Sequence, residues 1–219
     1  MAKLKAEKDP MGQAISDYFH TGKAKKLRVL SSMFDEDEIP VSTLFRSLEE
    51  MNDIERKALD AVQGRILDVG AGSGCHALAL QEMGKEVEAI DISPRSVEVM
   101  QKRGVKQAYC VNLFDETYLQ KFDTILMLMN GSGIIGKLEN MSAFFTKMKQ
   151  ILNPGGCIYM DYSDLSYLFD DEDGSFLMDL AGDYYGEIDY RMQYRGVKGE
   201  PFDWLYIDFE TLSLYAEQA

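Results

Sequence analysis

The sequence is poor in the residues that make cross-links and metal sites. Its 219 residues include three cysteines, two histidines and one tryptophan. Cys75, Cys110 and Cys157 are odd in number and far apart, without a CxxC pair, and only His20 and His76 stand beside them, which argues against a disulfide scaffold and a zinc site. Basic residues are also scarce. The 23 Lys and Arg against 37 Asp and Glu leave a formal net charge of −14. Nucleic-acid backbones are bound by neutralising phosphates, so DNA and RNA are disfavoured as partners. No stretch approaches the ~18 uncharged apolar residues of a membrane span. The opening MAKLKAEKDP is charged where a secretion signal has an apolar core. These absences point to a reducing cytoplasm, with neither nucleic acid nor membrane as partner.

What is present suits one packed globule: 46% of residues are hydrophobic and 11% aromatic. From Pro10 to about Val62 the pattern reads as helical, with a charged break at Phe34 to Pro40, and predicts an N-terminal helical cap over residues 1–62. Arg65 to Val69 then reads as a strand, Cys75 to Met83 as a helix, Glu86 to Ile90 as a strand, Ser93 to Arg103 as a helix, and Gln107 to Val111 as a third strand. The near-continuous apolar run Phe122 to Met129 predicts a strand buried on both faces. Leu138 to Leu152 reads as a helix stopped by Asn153-Pro154-Gly155-Gly156, and CIYMDY as a fifth strand. Strands alternating with helices predict an α/β fold, a doubly wound and mostly parallel sheet, over residues 63–163. Beyond it, residues 164–219 read as a substrate-side cap: an acidic loop, two antiparallel strands in Glu187 to Arg195 and Asp203 to Phe209, and a helix over Glu210 to Gln218.

The stretch that carries chemistry is LDVGAGSG, Leu67 to Gly74. Glycines after a first strand let a ligand approach the backbone, with helix N-terminal amides pointing at it. Asp91 stands at the end of the second strand, 21 residues after Gly70, where a carboxylate can take both ribose hydroxyls of a nucleoside. Asp68, two residues before the loop, would repel a pyrophosphate and attract a sulfonium or ammonium.

These residues resemble the class I S-adenosylmethionine-dependent methyltransferases. Ile66 to Gly74 matches the first motif (V/I)LDxGxGxG, Asp91 in AIDIS the second-strand acid, FDTILML the fourth strand, and Leu152 to Gly156 the LxPGG turn before the fifth. The resemblance covers roughly Ala61 to Tyr162 and implies a Rossmann-like methyltransferase fold with S-adenosyl-L-methionine as cofactor. It implies the methionine moiety along Asp68, Gly70, Ala71, Gly72 and Gly74, the ribose on Asp91, and the adenine between Ile92, Asn112 and Leu113. Met129 and Asn130 would border the methyl group and the acceptor. Asn112 replaces an Asp common in the family and reads equally as a turn residue. Phe45-Arg46 could reach the cofactor's carboxylate, or simply pack. Family members usually add a further strand after the last helix, so the sheet is expected to be one strand short at Ala219.

Asn130-Gly131-Ser132-Gly133 lacks the Pro-Pro-aromatic continuation of nucleobase amino-methyltransferases, and no Cys follows a Pro. A small-molecule oxygen or nitrogen acceptor is the reading that remains, and no catalytic base stands out. Two alternatives differ in class. A nicotinamide oxidoreductase would need a small residue where Cys75 stands and would set Asp68 against a diphosphate. A non-catalytic nucleoside-binding protein or partner subunit is the other. His76 reads as packing at the start of a helix, and Asp35 to Glu38 and Asp170 to Asp173 as solvated loops rather than cation sites. Tyr190, Met192 and Tyr194 should share one strand face that packs or lines an acceptor pocket.

Overall fold

The structure is a computed structural model that describes residues 4–169 and 183–219. The chain's first helix, α1 (Pro10–Thr21), starts where Pro10 fills its first turn and the Asp9 side chain accepts from the Gly12 N–H at 2.8 Å. Two short strands follow, β1 (Leu27–Leu30) and β2 (Asp37–Ile39), then 3-10 turns at Val41–Phe45 and Leu48–Glu50. Helix α2 (Asp53–Ala61) begins with a reciprocal cap, in which Asn52 accepts from the Glu55 N–H and Glu55 from the Asn52 N–H.

The stretch expected to be helical throughout is thus interrupted. LRVL is a strand because it pairs antiparallel with β2 on one side and, on the other, with residues 191–194 far along the chain, which a window of local periodicity cannot see. Arg46 and Met51 stand in extended backbone conformation, with ψ of 144° and 147°, and split the segment after Val41 into short turns.

The α/β core follows the predicted order. It comprises β3 (Arg65–Val69), α3 (Cys75–Glu82), β4 (Glu86–Asp91), α4 (Pro94–Arg103), β5 (Ala108–Cys110), β6 (Phe122–Met127), α5 (Met141–Ile151) and β7 (Leu152–Met160). The five strands form a parallel sheet in the order β5-β4-β3-β6-β7. One face packs on α3 and α4 through Leu80, Val97 and Met100, the other on α5 through Phe144, Met148 and Ile151. This is a sheet wound on both sides. The Asn153 to Gly156 turn lies inside β7 as an irregularity against Phe122 to Thr124, rather than before the strand.

The last elements are β8 (Glu187–Tyr194), β9 (Val197–Lys198), β10 (Phe202–Leu205) and α6 (Phe209–Gln218). β8 pairs antiparallel with β10 on one side and β1 on the other, giving a second sheet in the order β10-β8-β1-β2. Leu27 lies opposite Tyr194 and Val29 opposite Met192. Among the described residues no strand pairs beyond β7 in the parallel sheet. Tyr194 is wholly buried in a cluster with Ala14, Leu27 and Val41, its hydroxyl donating to Asp17 Oδ2 at 3.0 Å and accepting from the Lys25 N–H at 3.1 Å. It packs, and does not line a pocket.

Candidate functional site

The strand order reverses between β3 and β6, and the carboxyl ends of the parallel strands meet there, which in open α/β sheets is where ligands bind. The glycine loop leaves β3 at this point and opens α3. Gly70, Gly72 and Gly74 have φ of 69°, 57° and 83°, a left-handed backbone that disfavours side chains. A side chain at Gly74 would meet Met100 and Val105 at 2.9 Å, so this glycine also lets α3 settle on α4. The Gly70 and Ala71 N–H groups donate to the Ile90 carbonyl at 2.9 and 3.1 Å, and the Gly72 N–H to Asp91 Oδ2 at 2.9 Å. The loop is therefore laced to the end of β4. The second Asp91 oxygen accepts from the Ser93 N–H at 2.8 Å. Burial pushes the Asp91 carboxyl up to about 6, against the two backbone donors that pull it down, and Asp9 and Asp68 add to the rise.

Asp68 sits between β4 and β6, opposite Ala89 and Leu126, and is 1% exposed. Burial pushes it to about 6, with His76 and the Ala77 N–H pulling the other way. Its Oδ2 has no hydrogen-bond partner among the described residues. Such a buried acceptor is costly unless a ligand supplies the donor.

A second cluster meets Asp68 at the start of α3. Glu55 is buried and accepts from Arg46 Nη2 and, at 2.9 Å, from His76 Nε2. Burial alone would raise its carboxyl, but His76, the Asn52 N–H and the Arg46 charge bring it down to about 2. Arg46 also donates from Nη1 to the Thr43 carbonyl at 2.6 Å, while its buried Nε has no partner among the described residues. The Cys75 thiol, pushed up to about 11 by burial and then by Asp68, also feels Arg46 and Glu55, which places these charges around one helix start. Ser73 donates to the Leu44 carbonyl, and Arg103 donates to Ser73 while covering the Phe45 ring at 4.7 Å. The N-terminal segment is so clamped onto the glycine loop.

On the far side, β6 ends in a sharp reversal. Met129 and Asn130 have φ of 67° and 59°, rare for residues with side chains, and the strain is held by Asp161, which accepts from the Met129 and Gly131 N–H groups at 3.1 and 2.9 Å. Met129 is exposed, and the buried Asn130 Oδ1 is, like Asp68 Oδ2, an acceptor without a partner among the described residues. Any side chain at Gly133 would overlap the Trp204 indole, so the glycines after β6 admit β10 to the sheet ends.

The structure brings Asp68, Gly70, Ala71, Gly72, Gly74, Asp91 and Ile92 together, with Met129 and Asn130 across β3 from them. Asn112 Oδ1 accepts from the Phe114 N–H at 2.8 Å, and Leu113 is buried in the core. Asp9, Glu55 and Asp161 escaped the sequence reading. The Asp-Pro start of α1 and the N-x-x-E cap of α2 were visible signals for the first two; nothing local marks Asp161. Among the described residues no three His, Cys, Asp or Glu side chains gather as a metal site. No described helix is long and apolar enough to cross a membrane.

Asp68 Oδ2 and Arg46 Nε, both buried and without a partner among the described residues, thus lie beside the glycine loop that is laced to Asp91. Residues 66–156 match the family model described as a methyltransferase domain. A SAM-dependent methyltransferase from Bacteroides fragilis, solved in complex with S-adenosyl-L-homocysteine, is 69% identical, the match covering 99% of this chain and 88% of that one with a TM-score of 0.94. The chain belongs to the S-adenosylmethionine-dependent methyltransferases. The cypemycin N-terminal methyltransferase of a Streptomyces species is 29% identical over 102 residues, 45% of this chain and 42% of that protein. The ubiquinone biosynthesis O-methyltransferase of Xanthomonas oryzae pv. oryzae is 23% identical over 155 residues, 68% and 63% of the two chains. The chain spans less than two thirds of the length of both.

Proposed function

We propose that the protein binds S-adenosyl-L-methionine across the carboxyl ends of β3, β4 and β6 and transfers its methyl group to an oxygen or nitrogen of a small molecule. The observation that carries this reading is Asp68, a buried carboxylate with one oxygen unpartnered under the glycine loop. A diphosphate would be repelled there, whereas an ammonium or sulfonium completes the missing interaction. The residues fit the cofactor. Asp68 and the Arg46 Nε offer an acceptor and a donor to the two charges of the methionine head, and the loop brings backbone in place of side chains. Asp91, ionised and held by two N–H groups, keeps lone pairs for the ribose hydroxyls, and the exposed Ile92 borders the adenine.

The cofactor would supply a methyl group activated by its sulfonium, which the acceptor's oxygen or nitrogen would take in line as the C–S bond breaks and S-adenosylhomocysteine leaves. The protein's part is to align and desolvate. The Met129-Asn130 reversal, fixed by Asp161, presents the Asn130 Oδ1 at the end of β6, where an acceptor's hydroxyl or amine N–H can donate to it. Residues 63–163 together with Arg46 hold the cofactor, and the rest of residues 4–62 with residues 183–219 form the acceptor side, where Tyr190 and Tyr206 share a hydrogen bond of 3.1 Å. Three cysteines without a CxxC pair fit a cytoplasmic location. Calorimetry on one sample with S-adenosylmethionine, S-adenosylhomocysteine and NAD tests the cofactor. Binding of the first two is expected; binding of NAD alone would overturn the reading.

A further inference from the structure

The segment before α1 lies against the end of β4, and its contacts converge on the ribose-type acid. The Leu4 N–H donates to the Ile92 carbonyl at 3.2 Å, and Arg95 Nη1 to the Ala6 carbonyl at 2.8 Å. At the centre is Asp9, wholly buried, the cap of α1. Its Oδ1 accepts from the Gly12 N–H at 2.8 Å and its Oδ2 from Ser93 Oγ at 2.6 Å. Ser93 is itself the cap of α4, accepting from the Ser96 N–H at 3.0 Å, and its own N–H holds Asp91 Oδ1 at 2.8 Å. Two helix caps are thereby fastened to each other two residues from Asp91. The approach is close enough that any side chain at Gly12 would overlap both Ser93 Oγ and the Asp9 carboxylate.

A helix cap needs only a hydroxyl or amide, and a charge is an expensive way to fill that place in a buried setting. The charge here sits beside a second carboxylate that must ionise to bind a sugar. We infer that Asp9 is a positioning residue for the nucleoside: through Ser93 it fixes the direction of the Asp91 carboxylate, and its own nearby charge opposes the ionisation of Asp91. The inference rests on the proposed ribose role of Asp91. The titratable groups that face Asp91 are Asp9 from the α1 cap and Asp68 from β3; its register partner on β5 is Cys110, and the nearby Arg95 on α4 is turned to the Ala6 carbonyl.

The test is calorimetry of the whole chain with S-adenosylhomocysteine from pH 5 to 8.5, with melting temperatures alongside, on Asp9→Asn, Ser93→Ala and Asp91→Ala. In the unaltered protein affinity should fall as pH drops through the Asp91 transition, which overlaps that of Asp68 near pH 6. Asp9→Asn keeps the size of the cap and removes the charge, so the transition should move to lower pH. Ser93→Ala keeps the charge and cuts the link, so affinity at pH 8 should drop roughly tenfold, the order of one hydrogen bond to a charged group, with the transition unmoved. A merely structural Asp9 would change melting temperature without moving the transition, and an unmoved transition in Asp9→Asn overturns the electrostatic part. An unchanged dissociation constant in Ser93→Ala overturns the geometric part. If Asp91→Ala itself binds as tightly as the unaltered protein, the ribose reading fails; if Asp91→Ala is weak while the other two behave as wild type, only the Asp9 inference fails.

Discussion

Asp68→Asn should leave the protein at least as stable at pH 8 and make it a worse binder at once. Burial raises the Asp68 carboxyl from 3.8 to about 6. Two units correspond to about 3 kcal/mol. The sign follows from linkage: the folded state holds the proton more tightly than the unfolded chain, so this group's destabilisation is absent below about pH 4, about half present at pH 5 and complete above about pH 7. Asparagine removes it but leaves an unpaired amide where Oδ2 has no partner, which costs about 1–3 kcal/mol. The net gain without ligand is then about 0–2 kcal/mol at pH 8, or at most roughly 8 °C in melting temperature for a chain of this length. The gain should shrink as pH falls to 5. Over the same change, S-adenosylmethionine should lose the ~1.5–3 kcal/mol of a charge-assisted bond, about 10- to 150-fold, whereas adenosine, lacking the cationic tail, should bind as before. Calorimetry and thermal melts at both pH values decide it. A loss of stability equal at pH 5 and pH 8, or equal losses for adenosine and cofactor, would refute the reasoning.

Asp91→Ala is expected to weaken S-adenosylhomocysteine by about 2–3 kcal/mol at pH 8 through loss of charge-assisted ribose bonds, and an unchanged dissociation constant would contradict the ribose role. With a net charge of −14, the protein should show no binding of duplex DNA or bulk RNA at physiological salt; sub-micromolar anisotropy signals that fade steeply with salt would overturn this. Tyr194→Phe should lower the melting temperature, since the hydroxyl bonds to Asp17 and Lys25 are lost inside a core, and leave kinetic constants unchanged. Tyr206→Phe, which breaks the bond to Tyr190, should instead raise the Michaelis constant or lower turnover across a panel of small amine and hydroxyl acceptors, with S-adenosylhomocysteine affinity retained. If Tyr206→Phe also acts only through melting temperature, the acceptor is bound elsewhere.

The parallel sheet was legible in the sequence because each of its strands is bounded by its own signals: glycines after β3, Ser93-Pro94 after β4, Asn153-Pro154 near β7. The antiparallel sheet was half legible. The alternation of β8 and β10 is local and their turn is short, so the pair could be read, but β1 lies between β2 and β8 and is held on the β8 side by Met192 and Tyr194, more than 160 residues away. A four-residue strand whose pairing is that distant has no periodicity of its own, and the charged DEI of β2 reads as loop because it is an exposed edge. The same pairing explains why Tyr194 is core. It faces the helix α1 that β1 brings back across the sheet, and sequence alternation gave its face without saying what covers it.

The site divides along a similar line. Glycines and the strand-end acids announce themselves by spacing, since a ligand that approaches backbone leaves no choice of residue there. The groups that orient them do not. Asp161 holds the Met129-Asn130 reversal from the next strand, and Glu55 balances Arg46 against His76 from a helix that precedes the sheet, so each acts across elements rather than along one. More telling are Asp68 Oδ2, Arg46 Nε and Asn130 Oδ1, which are visible only as partners that the fold leaves out. A protein selected for stability alone would pair or remove such atoms, since each costs on the order of 1–3 kcal/mol. Ser96 Oγ, the fourth such atom among the described residues, lies in α4; the other three stand around one glycine loop and one strand end, which is what the proposed ligand, with a charged head at one end and an acceptor beside it at the other, requires.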